Sequence, residues 1–170
     1  MSETPEQYRQ RMFGHIDKQD PLKLQAAAPG KLESLLKDVP TSKLVKRPSS
    51  GKWSIAEIVA HIADTELVGG FRIRFILGNP GTPIQGFDQD KWVTALHYDK
   101  RDVSKSFEQY RALREANLAL LNTLTPEQWK QYGLHSERGE ETVETIVRMF
   151  AGHDINHIQQ VEQILAAEEK

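Results

Sequence analysis

Apolar residues recur at helical spacing in several stretches of the chain, with polar residues between them. Ile55, Ile58, Val59 and Ile62 fall on one side of a helix that continues to about Leu77. Phe107, Tyr110, Leu113, Leu120, Leu121 and Leu124 define a second apolar face. Val143, Ile146, Val147, Phe150, Ile158, Val161 and Ile164 define a third, which runs from Thr142 to near Ala167. Asp20-Pro21 caps a further segment over residues 21–39, read as a bundle helix kinked at Pro29-Gly30. Ser54-x-x-Glu57 is a capping box at the head of the second of these helices. Thr4-Pro5-Glu6-Gln7 and Thr125-Pro126-Glu127-Gln128 repeat the signal, each with proline at the first helical position. The former opens a polar helix over residues 5–18 and the latter a short helix before a polar loop at His135-Ser136-Glu137-Arg138-Gly139.

Gly78, Pro80, Gly81 and Pro83 end the second bundle helix, and from there to Asp102 only Asp88 to Ala95 reads as a turn or two of helix. Such a connection, at about 3.3 Å per residue, is long enough to cross a helix of about 30 Å, so the second and third bundle helices are expected to run parallel. No segment alternates persuasively as a β-strand. The pattern predicts an all-α four-helix bundle with a long crossover between helices two and three and short extra helices. Residues 1–19 are expected as a polar helical extension and 20–170 as the bundle domain.

Composition narrows the function classes. The 170 residues suit one core, and 22 Lys and Arg against 24 Asp and Glu give a net charge of −2, which offers no footprint for nucleic acid or an anionic membrane. Met1 to Gln7 lack a basic region followed by an apolar one, and no stretch reaches membrane-spanning length, so a cytoplasmic protein is expected. The expected partner is a small-molecule substrate, with homodimerisation left open. The absence of cysteine excludes disulfides, thiolate metal sites and a cysteine nucleophile, so any metal must be held by His, Asp or Glu.

His153 and His157 stand four apart on the last helix, about 40° around its axis, and can reach one ion. Both continue the buried stripe, where an unpaired polar ring is costly. His61 lies beside the inward stripe of the second bundle helix, so two helices could converge on one centre. The structural alternative is one ring hydrogen-bonded in the core and one at a solvated edge. Three imidazoles with a fourth position open suit a catalytic metal, with zinc or nickel leading among the divalent transition metals. His15 and His97 carry less weight; His135 and Glu137 could approach the open coordination position, but a surface loop leading into the last helix is the first reading of them. Arg72 follows His61 by eleven residues, about three turns, and returns to the same side, where it could hold a substrate carboxylate. Glu66 and Asp154 are the candidate orienting or basic carboxylates.

Lys52-Trp53-Ser54-Ile55-Ala56-Glu57-Ile58-Val59-Ala60-His61-Ile62-Ala63-Asp64-Thr65-Glu66 together with Ala151-Gly152-His153-Asp154-Ile155-Asn156-His157 resembles the DinB family, and in particular its YfiT-like members. The resemblance extends from about Asp20 to Leu165 and includes Phe71-Arg72, Phe87-Asp88-Gln89-Asp90-Lys91-Trp92 and the His135 loop before the last helix. It implies an up-down-down-up four-helix bundle and His61, His153 and His157 as three metal ligands. It also implies either a metal-activated-water hydrolase or a transferase joining a low-molecular-weight thiol to an electrophile. A non-catalytic, metal-containing protein that binds a small ligand or serves in stress is the alternative.

Overall fold

The computed structural model describes residues 3–167. Eight α-helices account for most of the chain: α1 (Pro5–Ile16), α2 (Pro21–Leu36), α3 (Thr41–Leu44), α4 (Ile55–Gly78), α5 (Gln89–Ala95), α6 (Val103–Leu121), α7 (Pro126–Trp129) and α8 (Val143–Ala167). The capping boxes form as their sequences predict. Thr4, Ser54 and Thr125 each accept from the backbone of the residue three positions on, whose side chain closes back onto the cap. Pro29 lies inside α2, which runs unbroken from Pro21 to Leu36.

The four long helices α2, α4, α6 and α8 form the bundle. Their directions follow from which residues meet. Along α4 and α6 the partners rise together, Asp64 with Gln109, Glu66 with Arg114 and Gly70 with Asn117, so these helices are parallel. Between α4 and α8 they run in opposite senses, His61 near His157 and Gly69 against Phe150. The connection after Gly78 therefore crosses the length of the bundle, and the architecture is the expected one.

Ser54 to Glu66 are buried without interruption, so the first half of α4 is enclosed on all sides. At one end of the bundle Leu32, Ile55, Ile58, Val59, Ile62, Tyr110, Val161 and Ile164 form the core; at the other, Ile73, Ile76, Ile84, Leu121, Val143, Ile146 and Val147 do so. The polar residues described below lie on the helices that join these two clusters. α1 packs along α8 with Met12 and Ile16 buried. The approach is close enough that a Cβ on Gly152 would stand 2.0 Å from the Met12 carbonyl oxygen, which makes glycine a packing requirement there.

The structure corrects the reading that no strand is present. β1 (Pro83–Ile84), β2 (Tyr132–His135) and β3 (Gly139–Thr142) form a three-stranded sheet in the order β1-β2-β3, parallel between the first pair and antiparallel between the second. Gly139, at φ 71°, turns the chain between β2 and β3. The strands are too short and β3, Gly-Glu-Glu-Thr, too polar to show alternation, and the β1–β2 pairing joins segments far apart in sequence. No helix among the described residues is long and apolar enough to cross a membrane.

Candidate metal centre

The capping box that starts α4 also fixes the phase of His61. Ser54 and Glu57 lock the first turn, with Arg47 paired to the buried Glu57 carboxylate, and His61 follows one turn later. α8 supplies His153 and His157. The three imidazoles are buried and offer nitrogen atoms that all lie within 4.8 Å of one another. His61 Nε2 and His153 Nε2 stand 3.0 Å apart, and the ring centroids are separated by 4.4 to 5.0 Å. Trp53 closes one side, nearly coplanar in orientation with His157 at 6.3 Å and tilted against His61 at 4.9 Å.

Burial holds all three rings neutral. It pushes His61 well below the ordinary imidazole range, helped by His157; it does the same to His153, helped by His157 and His61. His157 is pushed down to about 4 by burial, against the hydrogen bond to Gln160 that favours its charged form. That bond, Nδ1 donating to Gln160 Oε1 at 3.0 Å, leaves the Nε2 lone pair of His157 free. His61 Nδ1 is buried without a hydrogen-bond partner among the described residues. Neutral imidazoles crowded nitrogen to nitrogen, one with an orphaned ring atom, are the donor set that a divalent transition metal satisfies. The residues fit the ion.

His61 and His153 border a cleft of about 510 Å³, a volume suited to a small molecule. Arg72 faces it too, as the three-turn spacing predicts. Its guanidinium is buried, donates through Nη2 to the Gln85 carbonyl at 2.6 Å and sits 5.7 Å from the Phe87 ring. Burial, with Arg138 nearby, lowers its pKa to about 10, so it remains a cation at neutral pH. Glu66 and Asp154 are engaged elsewhere: Arg114 on α6 holds Glu66 Oε2 at 2.7 Å and Asp154 Oδ2 at 2.6 Å. His153 and Asp154 are adjacent, hence about 100° apart around α8, and the two side chains serve different neighbourhoods.

His135 differs most from its reading as part of a surface loop. It ends β2, is buried, and borders the cleft beside Glu137 and Arg138. His97 is exposed, and His15 is half-buried on α1. Further cleft residues escaped the sequence reading. Thr65 and Phe150 stand one turn from His61 and His153, so helical spacing could have found them. Tyr8, from the start of α1, carries no local signal, and Phe87, from the crossover, entered only with the segment that carries the resemblance. Arg114 was not singled out either, although it stands four after the inward Tyr110, a spacing that puts it on the buried side.

The chain is similar to several known proteins. It is 30% identical over 125 residues, 73% of this chain and 71% of the other, to a protein of Oceanobacillus iheyensis named "Putative metal-dependent hydrolase". It is 26% identical over 137 residues to YfiT of Bacillus subtilis, which bears the same designation, with 80% of this chain and 77% of YfiT covered. The solved structure of YfiT superposes with a TM-score of 0.75 over 97% of this chain and 91% of YfiT, at 24% identity. The mycothiol-dependent maleylpyruvate isomerase shares the fold at a TM-score of 0.68 and 10% identity, over 83% of this chain and 59% of that one. The model of the DinB superfamily matches residues 25–161, spanning His61, His153 and His157, and the chain belongs to that superfamily.

Proposed function

We propose that this protein is a metal-dependent enzyme acting on a small substrate with an anionic group, and that His61, His153 and His157 hold the ion, zinc or nickel. The observation that carries the reading is the convergence of three buried, neutral imidazoles at the wall of a cleft that also contains a buried arginine. A structural zinc site fills its four positions with protein ligands, whereas three histidines beside a cleft leave a position for a reactant. When bound there, the ion supplies Lewis acidity that lowers the pKa of a water or thiol. The rest is done by the chain itself. Arg72 holds the anionic group, Phe87 keeps the guanidinium in place, and Phe150 and Met149 form an apolar wall that limits water. Glu66 and Asp154 act through Arg114 by fixing α4 and α8.

Hydrolysis is the reaction we favour, in keeping with the designation of the relatives. Transfer of a low-molecular-weight thiol is the second reading, supported by the fold shared with a mycothiol-dependent enzyme; the chain has no cysteine, so that thiol would come from solution. The test starts from elemental analysis of the purified protein. One zinc or nickel per chain is expected, and the loaded protein is then screened on activated esters and amides, and on thiols with common electrophiles. A protein that binds neither metal at neutral pH would overturn the reading. With the substrate so found, Arg72→Ala should lower kcat/KM about ten- to a hundredfold with metal content unchanged, and Arg72→Lys should recover part of it.

A further inference from the structure

His135 has one ring nitrogen used and one idle. The backbone N–H of Glu137 donates to His135 Nδ1 at 3.1 Å, which occupies that lone pair, so the neutral ring carries its proton on Nε2. Nε2 is buried and has no hydrogen-bond partner among the described residues, in a residue only 4% exposed. Buried donors are nearly always paired, and an orphan at the edge of a cleft marks a place for an acceptor. The backbone of Gly86 lies along the same ring, where a Cβ would approach His135 Cε1 to 3.3 Å.

Arg72 presents the matching deficit. It is 8% exposed, spends Nη2 on the Gln85 carbonyl and has no carboxylate in ion-pair range among the described residues. Arg138, the other arginine of the cleft, is already neutralised by two hydrogen bonds to the buried Glu141. Glu137 and Asp90 line the cleft as exposed carboxylates, which water and salt screen, and Glu137 and Glu141 act on the buried charge of Arg72 only from beyond ion-pair range, so it is compensated only in part. The cleft therefore joins a buried cation without a paired carboxylate and a buried N–H donor without an acceptor.

We infer that His135 and Arg72 form an anion subsite that takes a carboxylate or similar oxyanion of the substrate, His135 Nε2–H donating to one oxygen and the Arg72 guanidinium to the other. The identity of that anion as substrate rests on the enzyme reading above. The subsite itself does not, because it is built from donors outside the metal ligands.

The experiment is a titration of zinc-loaded protein, with 15N-labelled histidine, by sodium acetate, followed by NMR and repeated on His135→Asn and Arg72→Ala. Asparagine keeps an acceptor for the Glu137 N–H and removes the donor at the Nε2 position. Free protein should show His135 protonated on Nε2, with its signal moving saturably as acetate is added. Each variant should bind acetate about tenfold more weakly with unchanged zinc content. Three results would overturn the subsite: a proton on Nδ1, equal affinity in His135→Asn, or acetate that moves His61, His153 and His157 signals while His135 stays still. Should His135→Asn lose helicity, the wild-type His135 signals decide alone. A chain that holds no zinc would defeat the enzyme reading, and the same titration of the metal-free protein would still decide the subsite.

Discussion

Two buried polar clusters share helices α4 and α8, and they are built on opposite terms. Around Arg114, which is 1% exposed, charge closes on itself: the guanidinium binds Glu66, Asp154 and the Gln25 carbonyl, and Asn117 donates to the second Glu66 oxygen at 2.7 Å. Around His61, His153 and His157 no ion pair is present among the described residues, and the cluster consists of neutral rings with ring nitrogens facing one another. The first pairs its charges from within, leaving only Arg114 Nε without a partner among the described residues, and ties α2, α4, α6 and α8 together; the second leaves its groups to be satisfied from outside. A polar cluster that closes is scaffold, and one that stays open beside a cleft is a site.

The comparison breaks most visibly at Arg114. Arg114→Met leaves two carboxylates buried without their cation, and removing one partner from a buried ion network costs about 3–5 kcal/mol. Urea denaturation should show that loss, and adding Glu66→Gln and Asp154→Asn should return part of it, because neutral amides cost less to bury. A loss below about 1 kcal/mol would mean that water reaches the network.

The histidine cluster should respond the other way. His153→Ala removes a ring that the protein itself does not pair well, so the metal-free fold should remain, while the stabilisation conferred by bound metal disappears. With metal at a thousandfold excess over its dissociation constant that gain is about 4 kcal/mol. Thermal melts of wild type with and without zinc, beside the same pair for His153→Ala, measure it directly; a variant that still gains stability from zinc would remove His153 from the ligand set.

Acid separates the clusters by sign. The rings of His61, His153 and His157 have folded pKa values pushed below the unfolded value of about 6.5, to about 4 for His157. As pH falls from 6.5 toward 4 the unfolded chain therefore binds more protons, and the metal-free protein loses stability. Asp154 opposes this: burial, acting against Arg114, raises it to about 6, so between about 4 and 6 the folded state binds the extra proton and gains stability as pH falls. Three imidazoles outweigh one carboxyl. Urea titrations in the presence of a chelator should show stability falling from pH 7 to 5, and more steeply in Asp154→Asn; a flat profile would mean that the rings are solvated.

The sequence showed the open cluster better than the closed one. His61, His153 and His157 were legible because an i,i+4 histidine pair on an apolar stripe violates the expected pattern, and a rule broken in a core draws attention. Arg114 follows the same helical arithmetic, yet a single arginine on an amphipathic helix looks like a surface charge until its two carboxylate partners, 40 and 48 residues away, are known. Caps and the crossover were legible because their chemistry is local. The β1–β2 pairing and the burial of His135 were not, since both depend on contacts between the crossover and the segment before α8.

Gly69 and Gly70 offer the finest distinction, because consecutive residues on α4 face one cluster each. A Cβ on Gly69 would stand 2.3 Å from Cε1 of Phe150, whose ring lies 6.3 Å from that of His153. A Cβ on Gly70 would stand 2.4 Å from Asn117 Oδ1, the side chain that donates to Glu66. In each alanine variant, overpacking of about 1–3 kcal/mol is offset by about 1 kcal/mol of helix propensity. That leaves a net loss of up to about 2 kcal/mol, and its location is what matters. Gly69→Ala drives Phe150 toward the histidines or into the cleft, so metal affinity should change. Gly70→Ala presses on the Asn117–Glu66 contact, so stability should fall while metal affinity holds. Competitive zinc titration and urea denaturation of both variants decide the point, and identical behaviour of the pair would show that the two clusters are mechanically one.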